Sequence, residues 1–230
     1  MHAFHLPDLD PDSAAIEVRG PERDHAVKSR RLRPGEQALL LDGRGTRALA
    51  EVDAVAPTLR LRIVERTRIE PVAPAVDVWS PPPKGPRAGD MIDALSQVGG
   101  ASWTPMNTAF AATEATNARL DRLERVAIEA MKQSQRAWLL ALGAPSEFDD
   151  GLAPTPGTRI VLADASGGEF ARNDAARVRL LIGPEGGWRP DEIDRARTAG
   201  ASVCRFGPHV MRIEVAAPVA TAIVLAHAQR

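Results

Sequence analysis

A glycine-rich segment in the last quarter of the chain carries residue types suited to binding a ligand. It reads Ile182-Gly183-Pro184-Glu185-Gly186-Gly187 and joins an apolar run to a helix whose start is marked by Pro190. Ligands of open α/β sheets bind at the carboxyl ends of strands, and glycines let backbone amides approach a ligand closely. A tight strand-to-helix turn needs the same residues and is the more common use of a Gly-Gly pair. The segment alone therefore leaves a binding loop and a plain turn both open.

A second segment of this kind follows about twenty residues later and contains Gly207, Val210, Met211, Arg212 and Glu214. It leads into an alanine-rich stretch that predicts a closely packed helix. Pro218 is compatible with that helix if it lies in the first turn. Arg212 and Glu214 alone are equally typical of a surface ion pair or of an acid at a helix start.

Several kinds of site are excluded by what the motifs lack. Neither G-x-G-x-x-G nor G-x-x-x-x-G-K-[ST] occurs at the first segment, so dinucleotide and nucleoside triphosphate sites are not predicted. The segment 164–168, Asp-Ala-Ser-Gly-Gly, is predicted to be a plain loop. Cys204 is the single cysteine, which rules out an internal disulfide, and no His/Cys cluster has metal-ligand spacing.

A basic run at residues 25–33 is a candidate RNA contact. It contains His25, Lys28, Arg30, Arg31 and Arg33, and guanidinium groups bind phosphates and base faces. A solvated helix face would show the same charges, so the run alone leaves both interpretations open. The net charge of -1 gives no further indication, because nucleic-acid binding depends on local positive potential.

The elements that position these residues form two groups. Residues 1–70 predict a small β-rich domain, with an apolar run at 38–41, a turn at 42–45 and alternating polarity at 59–63. The proline-containing stretch 69–75 has the composition of a linker. Residues 71–230 alternate strands with helices, including long helices at 117–134 and 214–227, which predicts a mostly parallel α/β sheet.

Composition places the chain among ordinary globular proteins, with 44% hydrophobic and 26% charged residues. No apolar run approaches the roughly 20 residues that a membrane span requires. The N-terminus lacks the pattern of an export signal, so a cytoplasmic location is expected.

Three ordered segments together resemble the RsmE branch of the SPOUT methyltransferases. They are the first glycine segment with Glu192 downstream, the Gly207 to Pro218 segment, and a helix reading Leu123-Glu124-Arg125-Val126-Ala127-Ile128-Glu129-Ala130-Met131-Lys132-Gln133-Ser134-Gln135-Arg136. The layout of residues 25–35, a histidine, then basic residues, then Pro-Gly, is also similar to that family. The likeness covers nearly the whole chain.

The resemblance implies a PUA-like RNA-binding β-barrel at residues 1–70 and a SPOUT domain with a deep trefoil knot at 71–230. It also implies a homodimer that binds S-adenosylmethionine, needs no metal or membrane, and methylates uridine N3 in 16S, small-subunit ribosomal RNA, free or in the assembled small subunit. The cofactor-binding residues implied are Ile182, Gly183, Pro184, Glu185, Gly186, Gly187, Gly207, Val210, Met211 and Arg212.

Methyl transfer to N3 needs a base that removes the N3 proton and a cation that stabilises charge on the ring. Glu214 is the candidate base and Arg212 the candidate cation. The PUA-like resemblance favours RNA contacts for the basic run, and Lys84, Arg125 and Arg136 are added to the candidate RNA-binding set.

Some positions depart from the family pattern. Ile213 and Val215 stand where the family has hydroxyl side chains, and Ala94 and Gln97 stand where it has a Lys-Ala-x-Glu-Leu-Gly segment. These departures make an RNA-binding protein with lost catalysis or a changed target the main alternative. A small-molecule α/β enzyme with a β-rich appendage is a third, and it predicts no RNA affinity.

Overall fold

The computed structural model describes residues 1–10, 12–24, 26–27, 32–117, 120–172 and 174–228. Contacts divide the chain into two compact units. The first comprises Met1–Pro71 and Met131–Leu139, and the second comprises Val72–Ala130 and Leu140–Arg230. Four predicted RNA-binding residues, His25, Lys28, Arg30 and Arg31, lie outside the described residues.

The first unit is built on a five-stranded sheet. Its elements are β1 (His2–His5), β2 (Ala15–Val18), α1 (Gly20–Asp24), β3 (Gln37–Leu41), β4 (Thr46–Ala54) and β5 (Leu59–Arg68). The strand order is β1-β3-β4-β5-β2, with β1 parallel to β3 and the other pairs antiparallel.

One face of this sheet is buried in a hydrophobic core, because buried and more exposed side chains alternate along strands such as β4. On β4, Ala48, Ala50 and Val52 are buried while their neighbours are more exposed, as the two-residue period of a strand requires. Phe4 and Leu61 pack in the same cluster. The β-rich first domain predicted from the sequence is therefore observed.

The segment Met131–Leu139 packs with the first unit, although it is distant in sequence. The Gly45 N–H donates to the Ala137 carbonyl and the Trp138 indole N–H donates to the Ile69 carbonyl, both at 2.9 Å. A Cβ at Gly45 would lie 2.7 Å from the Trp138 ring, so only glycine fits beneath this tryptophan. This packing could not be predicted from the sequence, because it depends on contacts between distant segments.

The second unit alternates strands and helices. Its elements are β6 (Ala75–Ser80), α2 (Arg87–Val98), β7 (Ser102–Asn107), α3 (Leu120–Ser134, whose last residues belong to the first unit), β8 (Ala141–Leu142), β9 (Ser146–Glu147), α4 (Phe148–Gly151), β10 (Thr158–Glu169), β11 (Arg177–Ile182), α5 (Pro190–Thr198), β12 (Ser202–Arg205) and α6 (Ile213–Ala228).

All described pairings in this second sheet are parallel. The strand order is β12-β10-β11-β6-β7-β8, and β9 pairs with β7. The predicted mostly parallel α/β sheet is thus confirmed, while the trefoil knot stays a prediction. Because parallel strands point the same way, their carboxyl ends meet at one edge of the sheet.

Residues 164–168 differ from the plain loop that the sequence predicted, because they lie within β10. Ala163 and Gly168 both pair with Cys204 of β12, so the residues between them form a bulge. A Cβ at Gly167 would lie 2.5 Å from the Val203 carbonyl oxygen. Gly167 therefore allows the backbones of β10 and β12 to approach closely.

Pro218 lies in the second turn of α6, not in the first turn as the sequence interpretation required. The helix begins at Ile213, so the proline is its sixth residue and is buried. A proline there has no N–H to donate to the Glu214 carbonyl. The helix packs against α2, and tertiary packing of this kind supplies most of the stability of helices in proteins.

Candidate active site

Two predicted binding segments lie at the carboxyl edge of the parallel sheet. Residues 183–187, here called the first loop, follow β11, and residues 207–211, the second loop, follow β12. β10 lies between these strands, so their ends are separated by about 10 Å at the usual strand spacing. The structure therefore brings both loops to the position where ligands of α/β sheets bind.

The first loop is a tight turn held by its own chain. The Gly187 N–H donates to the Pro184 carbonyl at 2.9 Å, and Gly187 has a φ of 75°. A Cβ at Gly183 would lie 2.9 Å from Trp188, and one at Gly186 would lie 3.1 Å from Phe110. Backbone conformation and close packing within the protein thus explain why these positions are glycines. The close approach to a ligand that the sequence suggested is an additional reason.

Trp188 anchors the first loop to the neighbouring strand. Its indole N–H donates to the Ala163 carbonyl of β10 at 2.9 Å. Its ring packs against Phe148 with ring centres 5.3 Å apart. These contacts fix where the first loop leaves the sheet, and rigid support of this kind favours a preformed site.

Glu192 joins the first loop's helix to the loop after β7. Its side chain is only 2% exposed. The Ala109 N–H donates to Oε1 at 3.1 Å, and the Arg189 N–H donates to Oε2 at 2.7 Å. The sequence indicated Glu192 only as part of a family motif, since its two donors come from distant positions.

The second loop is exposed and ends at the start of α6. Val210 is 90% exposed, and Arg212 is also exposed. The Arg212 carbonyl accepts hydrogen bonds from the Val215 and Ala216 N–H groups at 2.9 and 2.7 Å. Arg212 therefore occupies the cap position of α6, and Glu214 lies in its first turn, where the helix dipole favours an acid.

One oxygen of the Glu214 carboxylate is paired with an arginine, and the other has no hydrogen-bond partner among the described residues. Its Oε1 lies 3.5 Å from Nε of Arg87, the first residue of α2, and its side chain is 13% exposed. Its Oε2 is buried and receives no hydrogen bond from the described residues. A buried carboxylate oxygen without a donor is costly, so Oε2 is a candidate acceptor for a donor that the described residues do not supply. Sequence reasoning missed Arg87.

The predicted RNA-binding cations that the structure describes fall in both units. Arg33 and Arg136 belong to the first unit, whereas Lys84 and Arg125 belong to the second. Arg33, Lys84 and Arg125 are exposed. Burial lowers the pKa of Arg136 to about 10, which leaves it charged at neutral pH.

The positions that depart from the family pattern have different surroundings. Ile213 is buried, whereas Val215 is 46% exposed. Gln97 lies on the surface of α2 and donates to Oδ2 of Asp93 at 2.7 Å. Ala94 is half-buried on the same helix. Only the first two positions lie beside the candidate base.

Within the described part of the chain, no group of three or more His, Cys, Asp or Glu side chains is arranged to hold a metal ion. None of the described helices combines the length and apolar character needed to cross a membrane.

Comparison with known proteins places both units in one family. A family model described as RNA methyltransferase domain matches residues 70–225, and one described as RNA methyltransferase PUA domain matches residues 18–58. The ribosomal RNA small subunit methyltransferase E of Mycobacterium bovis is 33% identical over 96% of this chain and 90% of its own length. That of Synechocystis is 27% identical over 84% of this chain and 66% of its own length.

A solved structure shares the fold. It is the ribosomal RNA small subunit methyltransferase E of Neisseria gonorrhoeae bound to S-adenosylmethionine, with a TM-score of 0.88 and 20% identity over 98% of this chain and 97% of that chain. Because a relative 33% identical matches 96% of the sequence and a family model covers most of it, the chain belongs to the ribosomal RNA small subunit methyltransferase E family of RNA methyltransferases.

Proposed function

We propose that this protein transfers a methyl group from S-adenosylmethionine to N3 of a uridine in small-subunit ribosomal RNA. The observation that carries the proposal is the Glu214 carboxylate, which pairs with Arg87 through Oε1 and has no hydrogen-bond partner among the described residues at its buried Oε2. The names of the curated relatives, which are small-subunit ribosomal RNA methyltransferases, support the reaction class and the RNA.

The chemistry requires a proton acceptor because N3 of neutral uracil carries a hydrogen. Oε2 of Glu214 accepts this proton while the N3 electron pair forms the new bond to carbon, and a positioned base contributes typically about 10²- to 10⁴-fold. The ion pair with Arg87 orients the carboxylate. Arg212, exposed at the cap of α6, stabilises the negative charge that develops on the uracil oxygens.

The cofactor is assigned to the first and second loops. When bound, S-adenosylmethionine supplies a methyl group on a positively charged sulfur, which keeps the bonding electrons as a neutral thioether. Residues 182–187 contribute the end of β11 and the first loop, which Trp188 anchors. Gly207, Val210 and Met211 contribute the second loop, and Arg212 follows it at the start of α6.

The RNA partner is proposed to be the small-subunit ribosomal RNA, free or within the assembled subunit, in the cytoplasm. The exposed cations Arg33, Lys84 and Arg125 are available for phosphate contacts. The protein is proposed to act as a homodimer. One face of α6 supports this assignment, because it carries apolar residues that are exposed or half-buried, namely Val215, Val219, Ala222 and Ala226.

A transfer assay tests the proposed function. Purified protein, labelled S-adenosylmethionine and small ribosomal subunits from cells lacking the gene should yield labelled N3-methyluridine. Glu214→Gln should lower the transfer rate by at least about 100-fold because the amide cannot take the proton, with cofactor affinity unchanged. Asp194→Asn changes an exposed carboxylate on α5 and should leave the rate as it is.

Two results would contradict the proposal. Full transfer by Glu214→Gln would remove Glu214 as the base. Cofactor binding by the wild-type protein without transfer to any RNA would favour the alternative, an RNA-binding protein with the same fold and no catalysis.

A further inference from the structure

A cavity of about 310 Å³ opens in the second unit between the starts of α2 and α3. Its walls come from the loop after β6, from the loop after β7 and from β7 itself, through Pro83, Pro105 and Thr113 among others. It therefore lies at the carboxyl edge of the sheet, as the two candidate cofactor loops do. Its volume is at the lower end of the range for small-ligand sites, about 300 to 1,000 Å³.

The cavity has an apolar floor and a polar rim. Pro83, Ala88, Trp103, Pro105 and Leu123 are the buried lining residues and form the floor. Glu114, Thr116 and Arg122 are exposed and form part of the rim. A flat ligand with an apolar body and one polar edge matches this distribution.

Trp103 gives the floor a fixed aromatic surface. Its side chain is almost completely buried, and its indole N–H donates to Oγ of Ser80 at 2.9 Å. The prolines beside it have restricted backbones. These walls are therefore formed before a ligand binds, as is usual for small-ligand sites.

The cavity borders the candidate base. Pro86 and Ala88 line it, and the residue between them, Arg87, pairs with Glu214. A ligand whose polar edge points out of the cavity would thus present that edge near the first turn of α2, where the Glu214 carboxylate is held.

We propose that this cavity receives the target uracil, flipped out of the RNA strand, with its C5–C6 edge on the apolar floor and its N3 edge at the rim. This inference rests on the proposed function. Uracil is flat, its C5–C6 edge is its only apolar edge, and N3 lies opposite C6. Insertion in this orientation keeps N3 accessible to Glu214, while Arg122 and Thr116 can donate to the uracil oxygens. Enzymes that modify a base commonly extrude it into a pocket of this kind.

Filling the cavity tests the proposal. Gly89 lies on α2 in the cavity wall, and a Cβ there would meet only Val126, at 3.9 Å. Gly89→Leu therefore adds bulk without a clash at Cβ, and leucine favours helix more than glycine does. Gln97→Leu adds an apolar side chain at an exposed position of the same helix, outside the cavity, and is the matched control.

The expected result is a selective loss. Gly89→Leu should lower kcat/KM for small-subunit RNA by at least about tenfold, with thermal unfolding and S-adenosylmethionine affinity close to those of the wild type. Gln97→Leu should behave as the wild type in all three measurements. An unchanged kcat/KM in a folded Gly89→Leu protein overturns the proposal even where wild-type transfer confirms the methyltransferase function.

A binding measurement tests the cavity independently of catalysis. The chain has four tryptophans, so 5-fluorotryptophan labelling gives few ¹⁹F resonances, and Trp103→Phe assigns the one of interest. Uridine 5′-monophosphate in millimolar excess should shift the Trp103 resonance in the wild type and not in Gly89→Leu. If uridine 5′-monophosphate caused no shift, the cavity would not take uracil. The same would follow if S-adenosylmethionine shifted the Trp103 resonance and uridine 5′-monophosphate did not.

Discussion

At the scale of single residues, the Glu192 side chain supports the candidate site from a position outside the proposed reaction centre. Its two oxygens accept hydrogen bonds from Ala109 and Arg189, which come from different loops. Each acceptor satisfies a backbone N–H, and a buried donor left without a partner costs about 1 to 3 kcal/mol. The carboxylate thus couples the loop after β7 to the helix that follows the first loop.

We predict that Glu192→Gln lowers both stability and cofactor affinity. The amide keeps one acceptor oxygen but turns an NH₂ group towards the second backbone N–H, so the free energy of unfolding should fall by about 1 to 3 kcal/mol. Cofactor affinity, measured by calorimetry, should fall because the first loop is less firmly held. Glu169→Gln is the control, since Glu169 pairs with Arg205 on the surface and should contribute less than about 1 kcal/mol. Equal melting temperatures for both variants would contradict the prediction.

From the sequence, the first loop could be predicted to be a binding loop or a tight turn, but the packing around its glycines could not be predicted. Glycine patterns indicate backbone freedom, yet they do not show that Trp188 and Phe110 occupy the space beside Gly183 and Gly186. The pairing of Arg87 with Glu214 was equally hidden, because the two residues are distant in sequence and meet only through the packing of α2 against α6.

At the scale of elements, the carboxyl end of α3 contains a strained residue. Gln135 has a φ of 57°, a left-handed conformation that side chains other than glycine adopt at a cost. The Arg136 N–H donates to the Met131 carbonyl at 3.2 Å, and the Gln135 N–H donates to the Lys132 carbonyl at 3.3 Å. This pattern of bonds ends a helix with glycine in most proteins.

We predict that Gln135→Gly stabilises the protein by about 0.5 to 1 kcal/mol, because glycine adopts this conformation without a steric penalty. Urea denaturation should show a higher midpoint with an unchanged slope. Gln133→Gly, two residues earlier within the helix, should instead destabilise by up to about 1 kcal/mol. A Gln135→Gly variant less stable than the wild type would show that contacts of the Gln135 side chain outweigh its backbone strain.

Long elements were predictable and short ones were not. The predicted strand at residues 102–107 matches β7, and the predicted helices at 117–134 and 214–227 correspond to α3 and α6 with small shifts at their starts. β8 and β9 have two residues each, too few for hydrophobic periodicity to indicate them. Their formation depends on pairing with β7, which is a property of the folded chain.

At the scale of the whole molecule, the sequence predicted a β-rich domain followed by an α/β domain. It did not predict that Met131–Leu139 packs with the first unit. Composition and periodicity report on local segments, whereas this packing depends on the fit of Trp138 over Gly45. The predicted knot likewise rests on the family resemblance alone, since threading of a chain leaves no mark on periodicity.

The outer face of α6 leads to a prediction about assembly. Val215, Val219, Ala222 and Ala226 follow helical spacing, and each is exposed or half-buried. An apolar stripe on one helix face commonly marks a contact with another surface, and most soluble oligomers are symmetric assemblies of identical chains. A second copy of this chain is therefore the expected occupant.

We predict that the wild-type protein has twice the 24.6 kDa mass of one chain at micromolar concentration and that Ala222→Glu has the mass of one chain. Ala222 is exposed on the helix, so a glutamate there can remain in water in the monomer, while in a dimer its charge would be buried without a partner. Sedimentation velocity measures both masses. Thr198→Glu places the same side chain on the exposed surface of α5 and should leave the dimer intact.

If Ala222→Glu kept the wild-type mass, the dimer contact would lie on another surface. A wild-type protein with the mass of one chain would contradict the homodimer itself.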